Sequence, residues 1–340
     1  MSRDIVLVGH GYWGKNVARN LHDLEKLYGI CELNEETLTS LAERYPATRR
    51  CTSFADVLAD PAVKGVAICT PAQTHAALTI RALEAGKDVF VEKPLALEVA
   101  DGERMIEVAR AQDRILMVGH LLEHHPAVLA LEQLVRVGEL GRIQYIYSNR
   151  LNLGKFRREE NILWSFAPHD ISVILRLLGQ KPIEVIATGG TYLQANIADI
   201  TVTNLLFDHG VRAHIFVSWL HPYKEQRLVV VGSEKMAVFN DRAAPEEKLI
   251  VYDNGASWNG NVPVVRKGGR RPVSYPFSEE PLRKEMAHFA HCIATREQPE
   301  TDDFSGLRVL QVLQAAQRSL QMDGIRVPLM YQDTPPVSVL

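Results

Sequence analysis

The first 120 residues alternate short apolar runs with amphipathic segments, and this alternation restricts the fold more than any other feature of the sequence. Strand-like runs occur at residues 4–9, 28–33, 64–71, 88–94 and 114–120. The segments between them, such as residues 15–27 and 74–87, include helices predicted from apolar side chains at helical spacing. Short strands alternating with such helices indicate βαβ units and a parallel sheet. The runs are almost continuously apolar, as expected of a sheet covered on both faces.

A glycine-rich turn, GHGYWG at residues 9–14, follows the first predicted strand and opens the first predicted helix. GxGxxG alone is a weak signal, but this setting is the one that a dinucleotide-binding turn requires. Gly9 allows the tight turn, Gly11 the close approach of a pyrophosphate, and Gly14 the packing of helix on strand. Free N–H groups at the helix N-terminus favour phosphate. The cofactor-binding residues expected in this turn are Gly9, Gly11, Tyr12, Trp13 and Gly14.

Glu32 ends the second predicted strand, 18 residues after Gly14. A carboxylate at this position accepts hydrogen bonds from the adenosine ribose and repels a 2′-phosphate. Leu33 and Asn34 follow it, with no arginine to accommodate that phosphate. The sequence therefore favours NAD over NADP, the alternative for Glu32 being a solvated loop residue.

Polar residues follow two further predicted strands at the edge where ligands bind in open α/β sheets. This edge brings the strand that ends at Pro71 close to the strand within DVFVEKP at residues 88–94. The cofactor-binding residues expected here are Thr70, Pro71, His75, Glu92 and Lys93. A lysine at the end of a buried strand is costly unless it is used, so we expect Lys93 at the reactive end of the nicotinamide.

After residue 120 strands dominate, and several of them alternate apolar and polar residues. Strands are predicted at 142–151, 182–193, 199–207, 210–220, 226–232 and 235–240, helices at 126–137, 169–178, 281–295 and 304–321, and a mobile loop at 253–276. The alternation indicates an antiparallel sheet with one covered face. We expect an α/β Rossmann domain with a doubly wound parallel sheet over residues 1–120. An α+β domain with a large, mostly antiparallel sheet for substrate binding and oligomerisation is expected over residues 121–340.

Charge and apolar runs exclude two classes of partner. With 38 Lys and Arg against 41 Asp and Glu, the net charge is −3, so no basic footprint for nucleic acid exists. No run of 18 apolar residues could span a membrane, and the N-terminus lacks the plan of a signal peptide. Four well-separated cysteines contain no CxxC pair, which favours buried thiols in a reducing cytoplasm: Cys31, Cys51, Cys69 and Cys292.

Three nearby histidines, His120, His124 and His125, are the strongest candidates for a metal site, because the first two are helically spaced. His120 ends a predicted strand, however, and Pro126 interrupts the chain immediately afterwards. No third ligand is evident, so we expect no metal.

Four motifs in this order and spacing resemble the glucose–fructose oxidoreductase/inositol dehydrogenase (Gfo/Idh/MocA) superfamily: GHGYWG (9–14), AICTPAQTH (67–75), VFVEKP (89–94) and APHDIS (167–172). The resemblance implies that Lys93 touches the nicotinamide and the substrate hydroxyl, and that His169 lies beside the same hydroxyl. It also implies a cis peptide bond before Pro94 and a homodimer or homotetramer. Two positions depart from relatives: Ser165 replaces a common Asp, and Glu123 replaces a common Arg.

Within the superfamily, stretches such as HLLEHHPAV (120–128) resemble the nucleotide-sugar 3-dehydrogenases. This resemblance implies NAD-dependent oxidation of the C3 hydroxyl of UDP-N-acetylglucosamine, before an aminotransferase acts on the 3-keto product on the route to the 2,3-diamino sugars of lipid A. UDP-N-acetylglucosaminuronate is the first alternative substrate, and a free inositol or hexose is the next. A non-enzymatic alternative is an NAD-binding regulator without catalysis.

His169 follows Pro168 at the start of a predicted helix, where the helix N-terminus would lower its pKa and favour a neutral, proton-accepting imidazole. Asp170 could orient His169 or cap the helix. Either Lys93 or His169 could be the base. We favour His169, with Lys93 as the hydrogen-bond donor that holds the oxygen.

The segment 149–161 is dense in arginine and asparagine and is the candidate clamp for a substrate pyrophosphate. Its candidate residues are Arg150, Asn152, Lys155, Arg157, Arg158 and Asn161. The alternative is a solvated loop in which Glu159 and Glu160 neutralise the cations. A second basic group is more simply explained as solvated: Arg266, Lys267, Arg270 and Arg271. Lys93, His169 and Asp170 complete the predicted substrate-binding set.

Overall fold

The computed structural model describes residues 3–154, 156–253 and 255–331. The chain groups into two compact units. The first comprises the residues up to 124 together with 279–310, and the second comprises 125–278 together with the chain from 311 onward. A domain boundary at residue 120 stays a prediction. Residues 279–310, which lie inside the predicted second domain, group with the first unit.

One parallel sheet organises the first unit. In the described residues its strands are β1 (Ile5–Val8), β2 (Leu27–Cys31), β3 (Arg49–Cys51), β4 (Gly65–Ile68), β5 (Asp88–Glu92) and β6 (Leu116–Gly119). Their order is β3-β2-β1-β4-β5-β6, and each neighbouring pair is parallel. The order reverses between β1 and β4, which is the switch point where such sheets bind ligands. The prediction of a doubly wound Rossmann domain is confirmed.

The chain contains α-helices in both units, and several of them cover this sheet. The α-helices of the described residues are α1 (Gly14–Asp23), α2 (Glu35–Ser40), α3 (Phe54–Ala59), α4 (His75–Glu84), α5 (Val99–Ala111), α6 (Pro126–Arg136), α7 (Ile162–Leu178), α8 (Pro281–Thr295) and α9 (Asp303–Gln321). Late in the chain, α8 returns to the first core, where Phe289 packs against Phe90 with ring centroids 5.9 Å apart. Both rings are fully buried. No helix in the described ranges is long and apolar enough to cross a membrane.

A large mixed sheet organises the second unit. The remaining strands of the described residues are β7 (Ile143–Leu153), β8 (Glu184–Gly190), β9 (Ile200–Leu206), β10 (Arg212–Ser218), β11 (Leu220–Gly232), β12 (Met236–Asn240), β13 (Leu249–Tyr252), β14 (Gly255–Asn259), β15 (Val262–Arg266), β16 (Arg270–Pro272) and β17 (Val327–Pro328). The sheet runs β16-β13-β12-β11-β7-β10-β9-β8-β17, and only β7 and β10 pair in parallel among its described pairs. The predicted α+β domain with a mostly antiparallel sheet is confirmed. Helix α7 packs on β7, β9 and β10, which explains why Thr201 and Thr203 are fully buried despite their hydroxyls.

The expectation of a loop at 253–276 is wrong for the three strands described in this range. In this range β14 and β15 form an antiparallel hairpin, and β16 extends the large sheet by pairing with β13. The hairpin turns at Gly260, whose φ of +61° suits a tight two-residue connection. These strands are exposed, including the valines of β15, so none of them packs on a core.

Candidate active site

The glycine turn between β1 and α1 has the geometry of a phosphate-binding turn. Gly9 has a φ of +90°, and a Cβ there would lie 2.9 Å from Thr70 Cγ2. A Cβ on Gly14 would overlap the carbonyl oxygen of Gly9, so only glycine fits. A Cβ on Gly11, in contrast, would meet nothing within 4 Å. Space is therefore open in front of Gly11 and the first N–H groups of α1, where a pyrophosphate would bind.

Glu32, just beyond β2, is fixed against this turn. One carboxylate oxygen accepts the backbone N–H of His10 at 2.7 Å, and the other accepts that of Asn34 at 3.0 Å. Each oxygen keeps a second acceptor position. The position and charge fit the ribose hydroxyls of a dinucleotide. Burial lowers the pKa of His10, although the Glu32 carboxylate opposes this shift.

His75, the first residue of α4, joins the ends of two strands. Its Nδ1 lies 2.8 Å from the carbonyl oxygen of Pro94, and its Nε2 lies 2.9 Å from that of Thr70. The ring is buried. Thr70 also shares a hydrogen bond of 2.7 Å with the hydroxyl of Thr74. His75 therefore fixes the backbone of Thr70 and Pro94, and cofactor contact by Thr70, Pro71 and His75 stays a prediction.

Glu92 ends β5 and Lys93 follows it, and the glycine turn contacts Glu92 through Trp13. The indole Nε1 of Trp13 donates to Glu92 Oε1 at 2.6 Å. The other oxygen of Glu92 accepts the backbone N–H of Lys93 at 3.2 Å. Burial raises the pKa of Glu92 to about 7, against the opposing effects of the Lys93 charge and the Trp13 N–H. The Lys93–Pro94 peptide bond is cis, as the resemblance implies.

A buried titratable group that the sequence did not reveal lies next to Glu92. Glu285 on α8 is fully buried, and neither of its carboxyl oxygens has a hydrogen-bond partner among the described residues. Burial and the charges of Glu92 and Glu123 raise its pKa well above the usual range. Glu285 lies in no recognisable motif. Of the residues that raise its pKa, both Glu92 and Glu123 were singled out from the sequence.

The histidines considered as metal ligands have other surroundings. His120 is buried, and burial together with the Lys93 charge lowers its pKa to about 3. The His124 ring packs against His288 in a tilted arrangement, with centroids 5.6 Å apart. His125 accepts the N–H of Ala127 at the start of α6. The described residues contain no group of three or more His, Cys, Asp or Glu placed to hold a metal ion, and all four cysteines are free.

His169 lies inside α7, so the expectation that a helix begins there is wrong. The helix begins at Ile162, its N-cap is Asn161, and Pro168 lies within it. The helix N-terminus therefore does not act on His169. Ser165 lies one helical turn before His169, so the two residues share a face of the helix.

Asp170 does not cap a helix, because α7 begins eight residues earlier at Ile162. Its buried carboxylate accepts from Arg150 Nε at 2.7 Å and Nη2 at 3.0 Å, and from the hydroxyl of Ser148 at 2.6 Å. Arg150 is itself buried. A bidentate pair with these surroundings fixes the guanidinium against β7 and α7, so Asp170 orients Arg150.

The other candidate clamp residues differ in their contacts. Arg157 pairs with Glu160 at 2.9 Å, whereas Arg158 is exposed. Asn161 caps α7 and donates to Gln317 at 2.8 Å. Asn152 is half-buried next to Gly154, and Lys155 lies outside the described residues. In the second basic group, Arg266, Arg270 and Arg271 pair with Glu234, Glu247 and Glu139.

Comparison with known proteins identifies the family. The family model "Oxidoreductase family, NAD-binding Rossmann fold" matches residues 3–120, and the "GFO/IDH/MocA C-terminal domain" model matches residues 128–238. UDP-N-acetylglucosamine 3-dehydrogenase of Acidithiobacillus ferrooxidans is 28% identical over 89% of this chain and 93% of that protein. Myo-inositol 2-dehydrogenase of Thermotoga maritima is 26% identical over 93% and 96%.

A solved structure of UDP-N-acetylglucosamine 3-dehydrogenase from A. ferrooxidans matches the fold with a TM-score of 0.82. The match covers 95% of this chain and 99% of that one at 23% identity, so it supports the fold alone. The two family models together cover more than half of the sequence. The glycine turn and Glu32 fit the cofactor that the first model names. The chain therefore belongs to the Gfo/Idh/MocA oxidoreductase family, and NAD is its cofactor.

Proposed function

We propose that this enzyme oxidises the C3 hydroxyl of UDP-N-acetylglucosamine to the 3-keto sugar, with NAD as the oxidant. The observation that carries the proposal is the position of Lys93, at the end of β5 and beside Glu92, at the sheet edge where the cofactor-binding turn lies. The relative from A. ferrooxidans supports the choice of sugar. The product would pass to an aminotransferase on the route to the 2,3-diamino sugars of lipid A. We further propose a cytoplasmic homodimer or homotetramer.

In this proposal Lys93 holds the reacting oxygen and His169 takes its proton. Bound NAD supplies the acceptor for the hydride from C3. The carboxylate of Glu92 stabilises the ammonium form of Lys93, which suits a hydrogen-bond donor better than a base. Because His169 lies in the interior of α7, a helix terminus does not tune it, and its role as base rests on the family resemblance.

The substrate pyrophosphate is assigned to the segment 149–161. Arg158 offers an exposed guanidinium, and Arg157 is only partly neutralised by Glu160, because both side chains of this pair reach solvent. Asn152 supplies an amide group, whereas the amide of Asn161 is occupied by the α7 cap and by Gln317. Arg150 is buried and its charge is neutralised by the bidentate pair with Asp170, so we assign neither residue to the pyrophosphate.

A direct assay tests the proposed function. The purified enzyme is given UDP-N-acetylglucosamine, UDP-N-acetylglucosaminuronate or myo-inositol, each with NAD and with NADP. An aminotransferase specific for 3-keto sugars traps the product. We expect NADH formation with UDP-N-acetylglucosamine to exceed that with the other substrates. Faster turnover of the uronate would favour the alternative with a carboxylate at C6. Turnover of myo-inositol alone would contradict the proposal, and the inositol dehydrogenase relative makes that comparison necessary.

A further inference from the structure

The indole of Trp13 links the dinucleotide-binding turn to the strand end that carries Lys93. Trp13 is the residue before α1, and its Nε1 lies 2.6 Å from Glu92 Oε1 across 79 residues of sequence. The opposite oxygen of Glu92 accepts the backbone N–H of Lys93 at 3.2 Å. One carboxylate is thus bound from both sides, by the cofactor turn and by the peptide of the lysine.

The backbone leaves room for this carboxylate. Glu92 pairs in register with Gly119 on β6. A Cβ on Gly119 would lie 3.0 Å from the Phe90 ring and 3.1 Å from Glu92 Cδ. A larger residue at position 119 would therefore displace the carboxyl group from the indole.

Several charged or titratable groups face Glu92 from the surrounding elements. Lys93 follows it on the same strand end, Cys69 lies beyond β4, and Glu285 lies on α8. Glu123 adds a further negative charge next to Glu285, and His120 lies within the field of Lys93. Burial disfavours the ionised form of Glu92 and raises its pKa. The indole N–H and the Lys93 ammonium favour it.

We propose that Trp13 is a positioning residue that acts through Glu92, holding its carboxylate in the ionised form beside Lys93 and so keeping the lysine charged. A phenylalanine would keep the aromatic bulk but lose the N–H donor. Glu92 would then retain its proton to higher pH, and the amine of Lys93 would lose its opposing charge. The role of this link in the reaction rests on the proposed function, whereas the link itself does not.

Acetylation of Lys93 tests the link without any substrate. The full-length protein is treated briefly with N-hydroxysuccinimidyl acetate across the neutral pH range, and mass spectrometry gives the rate at Lys93 relative to exposed Lys267. Only the neutral amine reacts. In Trp13→Phe we expect the rate at neutral pH to rise about threefold or more, since the ammonium loses a nearby carboxylate. Glu92→Gln should raise it at least as much.

The pH profile separates a positioning role from a packing role. In the wild type the Lys93 rate should show an inflection near the pKa of Glu92, about 7. This inflection should move to higher pH in Trp13→Phe and vanish in Glu92→Gln. The double variant should match Glu92→Gln alone, because both changes act on one interaction. Trp258→Phe, which alters an exposed indole on β14, is the matched control and should match the wild type.

An unchanged Lys93 rate in Trp13→Phe, or additive effects in the double variant, would overturn the proposal. Trp13→Leu, which also has no hydrogen-bond donor, is the second variant if the phenylalanine variant does not fold, as judged by circular dichroism, and the same rise in the Lys93 rate is expected. The oxidation assay is separate. If no UDP-sugar is oxidised but the acetylation profile shifts as expected, the proposed function fails and the Trp13–Glu92 link stands.

Discussion

Glu285 is a buried carboxyl whose ionisation makes the stability of the enzyme depend on pH. Its pKa is raised in the folded protein by burial and by Glu92 and Glu123. The folded state therefore binds more protons than the unfolded state. Below the unfolded pKa of about 4.3 the carboxyl is neutral in both states, so Glu285 does not lower the free energy of unfolding. As the pH rises from there toward the folded pKa, the unfolded state loses the proton first and the free energy of unfolding falls.

Glu285→Gln should accordingly stabilise the protein at alkaline pH. The neutral amide keeps the shape of the side chain and has no charge to desolvate. We expect the free energy of unfolding in urea to rise by roughly 1 kcal/mol or more at about pH 8, with no gain at about pH 4. The exposed Glu43→Gln is the control and should change stability little at either pH. An equal gain at both pH values would mean that charge at position 285 is not the cause.

Lys93→Met and His169→Asn test the division of roles in the reaction. Loss of a general base or of the group that holds the oxygen should lower kcat about 100- to 10,000-fold. Binding of NAD, followed by calorimetry, should change little in His169→Asn. If both variants kept near-normal turnover with NAD bound, the catalytic assignment would be wrong.

At the scale of elements, the glycine turn offers a contrast between two substitutions. Gly14→Ala places a Cβ against the Gly9 carbonyl oxygen, whereas Gly11→Ala places it in open space. We expect Gly14→Ala to lower the free energy of unfolding by about 1–3 kcal/mol, because the backbone must shift. Gly11→Ala should unfold like the wild type but bind NAD roughly tenfold more weakly, because the methyl group enters the pyrophosphate path. Equal free energies of unfolding for the two variants would contradict the inference that only position 14 is closed to a Cβ.

Elements with strong local patterns were predictable, and those stabilised by distant partners were not. The apolar runs of β1, β4 and β5 predict a buried parallel sheet. Strand β3 contains only Arg49, Arg50 and Cys51, so it has no apolar pattern of its own and depends on pairing with β2. Helix α7 was predicted too short, because Pro168 resembles a helix start. Asn161 supplies the actual N-cap, and the helix tolerates the proline in its interior.

In the candidate site, too, residues marked by a local pattern were predictable and residues placed by distant contacts were not. Glu32 and Lys93 follow strands, and the topology of a parallel sheet brings strand ends together. Glu285 could not be found in this way, because α8 reaches Glu92 only through the tertiary fold. The pairing of Arg150 with Asp170 could not be predicted either. In the sequence each of these charged residues was interpreted as a substrate contact.

At the scale of the whole molecule, the chain leaves the first unit after residue 124 and returns to it between 279 and 310. The predicted single crossing at residue 120 follows from a change in local periodicity. The return of the chain to the first unit at α8 is not marked by a change in periodicity, because α8 is amphipathic like any other surface helix. Its destination is decided by packing, as between Phe289 and Phe90.

Cofactor choice should be measurable as a change in the stability of the entire protein. A ligand that binds only the folded state stabilises it by about 2.7 kcal/mol at a hundredfold excess over its Kd. We expect NAD at that excess to raise the melting temperature, and NADP at the same concentration to raise it far less, because the Glu32 carboxylate repels a 2′-phosphate. Glu32→Gln removes this charge, so the difference between the two cofactors should narrow. Equal stabilisation of the wild type by NAD and NADP would show that Glu32, held by the N–H groups of His10 and Asn34, does not select the cofactor.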